Sequence, residues 1–211
     1  MAYSNFSLTD AMKQLGLTLK DKNDLFAHIP EVEYSEYLDF TLKYNLRIAS
    51  EINTEKARSE MIITPILLEL RRMLDDKISL FSGKEFNVDI EKGLNGACDF
   101  LISLSESQIV IMSPVIAIVE AKKEDLIGGL GQCAAEMYAA QLFNQKEGNQ
   151  VAVIYGVVTS GTVWRFLKLE GNALDIDVVE YYIKDAGKIL GIFSSLLKAA
   201  GWLIIWDELE S

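Results

Sequence analysis

Residues Val151 to Val158 read Val-Ala-Val-Ile-Tyr-Gly-Val-Val, a run with no charged side chain on either face. A strand exposes alternate residues to opposite faces, so a run without polar alternation has no face it can turn to water. It must lie in the middle of a sheet, covered on both sides. That requirement selects a layered α/β architecture. A second apolar run, Val115 to Val119, predicts another inner strand, started by the break at Pro114.

The flanking elements follow from periodicity. Ile62, Ile63, Ile66, Leu67, Leu70, Met73 and Leu74 form a helical stripe after Thr54, a candidate cap with Glu55 in its first turn. Pro65 interrupts that stripe and predicts a kink, or a restart capped by Thr64. Strands are expected over 85–90, 97–104, 108–112, 163–169 and 178–183. Gly128, Gly129 and Gly131 mark a turn into a helix from about Gly131 to Phe143. A core-packing helix capped by Asp185 carries the stripe from Ile189 towards Trp206, rather than a membrane span. The result is a mixed central β-sheet flanked by helices. Residues 1–45 read as an N-terminal helical extension and 46–211 as the main domain.

Half of the 211 residues are hydrophobic and 24% are charged, which suits one domain with a sizeable core. The net charge of −11 argues against a tight, non-specific DNA binder acting alone. It leaves room for a local basic rim, a metal-bridged contact or a partner subunit that supplies basic surface. Cys98 and Cys133, with the single His28, do not make a four-ligand zinc site. Cys98 is expected in the core, and no disulfide is expected. The start, Met1-Ala2-Tyr3-Ser4-Asn5, shows neither a cationic nor an apolar targeting region, so a cytoplasmic protein is expected.

The chemistry concentrates where the strand from Val115 ends in Glu120-Ala121-Lys122. Glu120 and Lys122 share a face. Asp99 stands near the start of the strand at 97–104, and neighbouring strands would bring its carboxylate to Glu120. Two such charges at ~4 Å, with an effective dielectric of about 20, repel by roughly 4 kcal/mol. A hard cation between them removes that penalty, and Mg²⁺ prefers oxygen ligands. Glu55 and Glu60 compete for a supporting role from the preceding helix, where they stand about 140° apart. Glu60 is preferred, because it lines up with Ile63 and Leu67. Gln132 lies on the helix that follows. The glycines at 128–131 lack the Lys-Ser/Thr of a phosphate loop. Tyr155 and Trp164 read as core residues. A Ser-His-Asp or Cys-His mechanism would need His28, which nothing places near a partner.

Asp99, then Glu120-Ala121-Lys122, in the order helix, strands, helix, strand and hairpin, resembles the PD-(D/E)XK nuclease superfamily. The likeness spans about Thr54 to Leu169. The helix from Thr54 to Leu67 is similar to one in the N-terminal nuclease domains of type I restriction motor subunits. Gly161-Thr162-Val163-Trp164 is similar to a hairpin in the same group. The resemblance implies a restriction-endonuclease-like core and a Mg²⁺- (or Mn²⁺-) dependent nuclease acting on DNA. It implies that Asp99 and Glu120 bind the metal, with the carbonyl of Ala121 as a further ligand. Lys122 would orient the attacking water. Glu60, or Glu55, would complete the outer sphere, and Gln132 matches a position that touches the site or the DNA backbone. Cys98 stands where the family has proline, and the Gln-x-x-x-Tyr pattern is absent, Tyr138 lying six residues after Gln132. Pairing as a homodimer or with protein partner subunits is also expected. The alternative is a nuclease-fold module without cleavage, serving binding or assembly in a restriction, defence or repair complex.

Overall fold

The apolar run at 115–119 and most of the run at 151–158 become inner strands lying side by side; the second strand begins only at Val153, and Ala152 is exposed. A computed structural model describes residues 2–149 and 151–198. In chain order the regular elements are α1 (Leu8–Leu15), β1 (Thr18–Lys20), α2 (Glu36–Ile52), α3 (Glu55–Arg58), a π-helical turn (Ser59–Ile63), α4 (Thr64–Met73), β2 (Ser79–Glu85), β3 (Ala97–Ser103), β4 (Val115–Ala121), α5 (Leu126–Lys146), β5 (Val153–Thr159), β6 (Val163–Glu170), β7 (Ala173–Ile176), β8 (Tyr181–Tyr182) and α6 (Ala186–Leu197). The strands form one open, mixed sheet in the order β1-β7-β6-β5-β4-β3-β2, with β8 pairing β6. β4 and β5 are parallel, as are β1 and β7, and the other pairs are antiparallel. Every residue of β4 is buried. On one face of the sheet, α2, α4 and α6 pack on Phe100, Val119, Val157 and Phe166. On the other, α1 and α5 cover Leu101, Ile118, Val158 and Leu167.

The N-terminal segment is more than a helical extension. β1 forms an edge strand of the sheet, α1 packs against α5, and position 45 falls inside α2. Tyr3 is buried and its hydroxyl donates to the carbonyl of Phe86 at 2.7 Å. The glycines after β4 explain how this segment lies so close. A Cβ at Gly131 would stand 2.2 Å from the Ser7 carbonyl carbon, and one at Gly129 would stand 2.7 Å from Val158 Cγ1. They are therefore close-packing positions inside the first turns of α5, which starts at Leu126. Asp125 caps that start, its side chain accepting from the Gly128 amide at 2.8 Å.

Several expected elements shift. Residues 108–112 form no strand. The Gln108 side chain bonds the Leu80 amide and carbonyl instead, and Ile109, Val110 and Met112 are exposed. The strand expected at 85–90 lies earlier, at β2, and only Tyr181–Tyr182 of 178–183 is extended. Thr54 caps α3 by accepting from the Ala57 amide at 3.1 Å. Pro65 is absorbed without a break: the π-helical turn precedes it, with the Thr64 amide bonded to the Ser59 carbonyl, and Thr64 makes no cap. Asp185 stands at the start of α6, but its side chain makes no capping bond. The stripe expected beyond Lys198 lies outside the described residues, among which no helix is long and apolar enough to cross a membrane.

α2 is tied to α4 by a buried carboxylate. The Ser35 amide and hydroxyl donate to Glu69 at 2.7 and 2.8 Å, and Arg72 adds two further bonds at 2.7 and 3.1 Å. Burial pushes the Glu69 carboxyl up, but the bonds from Arg72 and Ser35 outweigh it and leave it below its ordinary value. A depressed carboxyl stabilises the fold above its unfolded value and loses that contribution as pH falls through the folded one. Glu69→Gln is expected to lower stability at pH 7 by about 1–3 kcal/mol. The difference from wild type should shrink in melts taken below pH 4.

Candidate metal and phosphate site

Phe100 pairs with Val119 across β3 and β4, so Asp99 and Glu120 are the next residues towards the same end. The Ala121 amide donates to Asp99 Oδ2 at 2.8 Å. Parallel pairing continues one step past β4, where the Lys122 amide donates to the Thr159 carbonyl at 2.8 Å. That bond fixes the backbone from which the Lys122 side chain turns back. Its ammonium forms an ion pair with Glu120 Oε1 and donates to Gln132 Oε1 at 3.3 Å. The expected trio of Asp99, Glu120 and Lys122 therefore converges.

The electrostatics are unbalanced. Glu120 is 1% exposed, and among the described residues its Oε2 has no hydrogen-bond partner. Burial, then repulsion from Asp99, push its carboxyl up to about 8, against the opposing pull of Lys122. Asp99 is also raised, by burial above all, with the Ala121 amide and Lys122 opposing. Burial acts against the Lys122 ammonium, yet the Glu120 charge and hydrogen bond leave it raised. One lysine thus serves two crowded carboxyls.

Asp99 and Ala121 line a cavity of about 360 Å³ whose other wall is the helical segment bearing Glu55, Ser59 and Glu60. Gly83, at φ +61°, faces Asp99 across β2 and β3 between the Ser82–Phe100 and Lys84–Cys98 pairs, and it puts no side chain over the carboxylate. Glu60 does not point inward as its helical position predicts. It is exposed and pairs with Lys56 at 3.6 Å. Glu55 and Glu60 nevertheless both line this one cavity. Glu55 is the one whose charge acts on Glu120 and Lys122.

Gln132 meets the site directly through Lys122. Sequence reasoning missed its neighbour, Glu136. This side chain is fully buried, and its Oε1 accepts from Gln132 Nε2 at 3.1 Å, while Oε2 likewise has no partner among the described residues. Burial and the Glu120 charge push Glu136 well above the usual carboxylate range. The available signal was a lone acid four residues after Gln132, among Cys133, Ala134, Ala135 and Met137. Trp164 and Tyr155 are core residues, and the Trp164 indole donates to the Gly161 carbonyl at 2.8 Å. His28 is exposed and lines a different cavity.

Among the described residues, no three His, Cys, Asp or Glu side chains form a ready-made metal cage. Asp99 and Glu120 are a pair of hard oxygen donors with one unpartnered oxygen. That suits a cation such as Mg²⁺, which takes one or two carboxylates and completes its shell with water or substrate. No family model, curated protein or solved structure matches the chain.

Proposed function

We propose that this chain is a metal-dependent phosphodiesterase of nuclease type, built on a restriction-endonuclease-like core and acting on DNA. The observation that supports this reading best is the convergence of Asp99, Glu120 and Lys122, with Asp99 lining a cavity and Glu120 Oε2 unpartnered among the described residues. Asp99 and Glu120, with the Ala121 carbonyl, would hold Mg²⁺ or Mn²⁺. Such a cation polarises a phosphate oxygen and lowers the pKa of a bound water. Lys122 places a positive charge where the attacked phosphate gains negative charge, and it orients the incoming water. Glu55 and Glu60 face the same cavity and would hold outer waters. An acidic chain approaches DNA best with a partner subunit that supplies basic surface.

Lys122→Ala is expected to lower cleavage of a DNA panel by about 10²–10³-fold while Mn²⁺ binding persists in calorimetry. Wild-type activity in that variant would sink the mechanism. A second reading, a binding or assembly module in a defence or repair complex, draws on the exposed Tyr37, Phe40 and Tyr44 of α2. It is favoured if wild type gains no thermal stability from Mg²⁺ or Mn²⁺ and cuts no nucleic acid.

A further inference from the structure

Within the proposed reaction, one problem is left open by the trio itself. Lys122 is held by Glu120 Oε1, the same carboxylate that is to take a cation. When Glu120 turns to a cation, the hold on the ammonium weakens. The remaining side-chain bond of Lys122 runs to Gln132 Oε1. A primary amide offers oxygen on one side and two donor hydrogens on the other. Flipped, Gln132 would present its donors to an ammonium that cannot accept.

We propose that Glu136 is a positioning residue that locks the Gln132 amide with its oxygen towards Lys122, and so keeps the ammonium aimed at the site. Gln132 and Glu136 are one turn apart on α5, so the helix itself sets their contact. Gln132 Nε2 donates to Glu136 Oε1 at 3.1 Å, which leaves only the amide oxygen for Lys122 at 3.3 Å. The lock works in either protonation state, because the Glu136 carbonyl oxygen accepts in both. Stability alone does not account for this residue. A fully buried carboxyl with one unpartnered oxygen, and with no ion-pair partner among the described residues, costs free energy that a leucine there would not. Glu136 touches no substrate and acts through Gln132.

The proposal rests on the nuclease reading, and its test separates the two. Three variants of the full chain, Glu136→Leu, Glu136→Gln and Gln132→Leu, are compared with wild type. The readouts are kcat and KM for cleavage, Tm, Mn²⁺ calorimetry, and the ¹⁵Nζ resonance of Lys122 by NMR. Glu136→Leu is expected to lower kcat by about 10–100-fold. KM and Mn²⁺ affinity should hardly change, and Tm should equal or exceed wild type. Glu136→Gln, which still accepts from Gln132, should recover most of the rate. The Lys122 signal should move in Glu136→Leu and Gln132→Leu and stay in Glu136→Gln. A wild-type kcat in Glu136→Leu overturns the proposal, as does a loss shared by both Glu136 variants that follows a fall in Tm. If Glu136→Leu does not fold, Glu136→Ala takes its place, because it too removes the acceptor of the Gln132 amide. If wild type cuts nothing, the nuclease reading fails. The lock then stands or falls on whether the Lys122 signal moves.

Discussion

Asp99→Asn is expected to lose Mn²⁺-dependent cleavage by about 10³-fold or more and, in EDTA, to melt above wild type. The two effects have opposite signs for one reason. The side chain accepts the Ala121 amide through one oxygen, and asparagine keeps an oxygen there, so the local fold is retained. What disappears is one of two facing carboxyls, both raised by burial and crowded into one site. Removing that repulsion, of the order of a few kcal/mol, stabilises the empty site. A raised carboxyl contributes stability below its unfolded value and loses it as pH rises through the folded one. Wild type in EDTA should therefore lose stability between about pH 4.5 and 8, where Glu120 titrates, and the variant should lose less. Differential scanning calorimetry across that window, with and without Mn²⁺, reads the shift in melting and its pH dependence, and a cleavage assay reads the loss of activity. A variant that binds Mn²⁺ as wild type does would remove Asp99 from the site.

Gly131→Ala should lower stability by about 3–5 kcal/mol. The added carbon would stand 2.2 Å from the Ser7 carbonyl carbon and 2.4 Å from the Leu8 nitrogen and the Phe6 oxygen. Those are backbone atoms and cannot swing aside, so the N-terminal segment must lift off α5. With it go the buried Tyr3 and Phe6 side chains and the Tyr3 hydroxyl bond to Phe86. Gly128→Ala is the control, because its new carbon meets only the Asp125 side chain, which can turn. A thermal melt should show a drop of about 10 °C for Gly131→Ala and a smaller one for Gly128→Ala. Limited proteolysis should open the chain ahead of α2 only in the first. Equal melts would mean that the close approach of α5 and residues 6–8 is wrong.

The parts of this molecule that could be read from its sequence are those where one side chain's chemistry decides. Val115 to Val119 and Ile154 to Val158 have no polar face, so their burial is forced, whereas the run's first residues, Val151 to Val153, stay partly or fully exposed. The shared parity of Glu120 and Lys122 is a property of strand geometry, and Thr54 is a good cap wherever a helix follows it. What escaped depends on distant partners. Ile109, Val110 and Ile111 are apolar enough for a strand, yet a strand needs an edge to pair with, and the Gln108 side chain occupies that place on Leu80. The glycines of α5 look like turn residues until the segments that press against them are known. Glu60 was placed by an ideal helical turn, and the π-helical turn at Ser59–Ile63 redraws which residues share a face. Glu136 was invisible because a lone glutamate in a helix is normally solvated, and only the packing of α5 on β4 and β5 puts it inside.

The parallel pairing of Thr18–Lys20 with Ala173–Asp175 has a consequence in time. On the ribosome, the first strand of the sheet emerges long before the strand it must join. Phe6, Leu15 and Leu17, all buried at the end, therefore spend most of synthesis without their final cover. Closing so long a loop comes late, because its entropy is repaid only by contacts made at closure. β1 can thus dock only after residues 173–175 have been made. During that delay it is the segment most open to chaperone capture or to pairing with a neighbouring nascent chain.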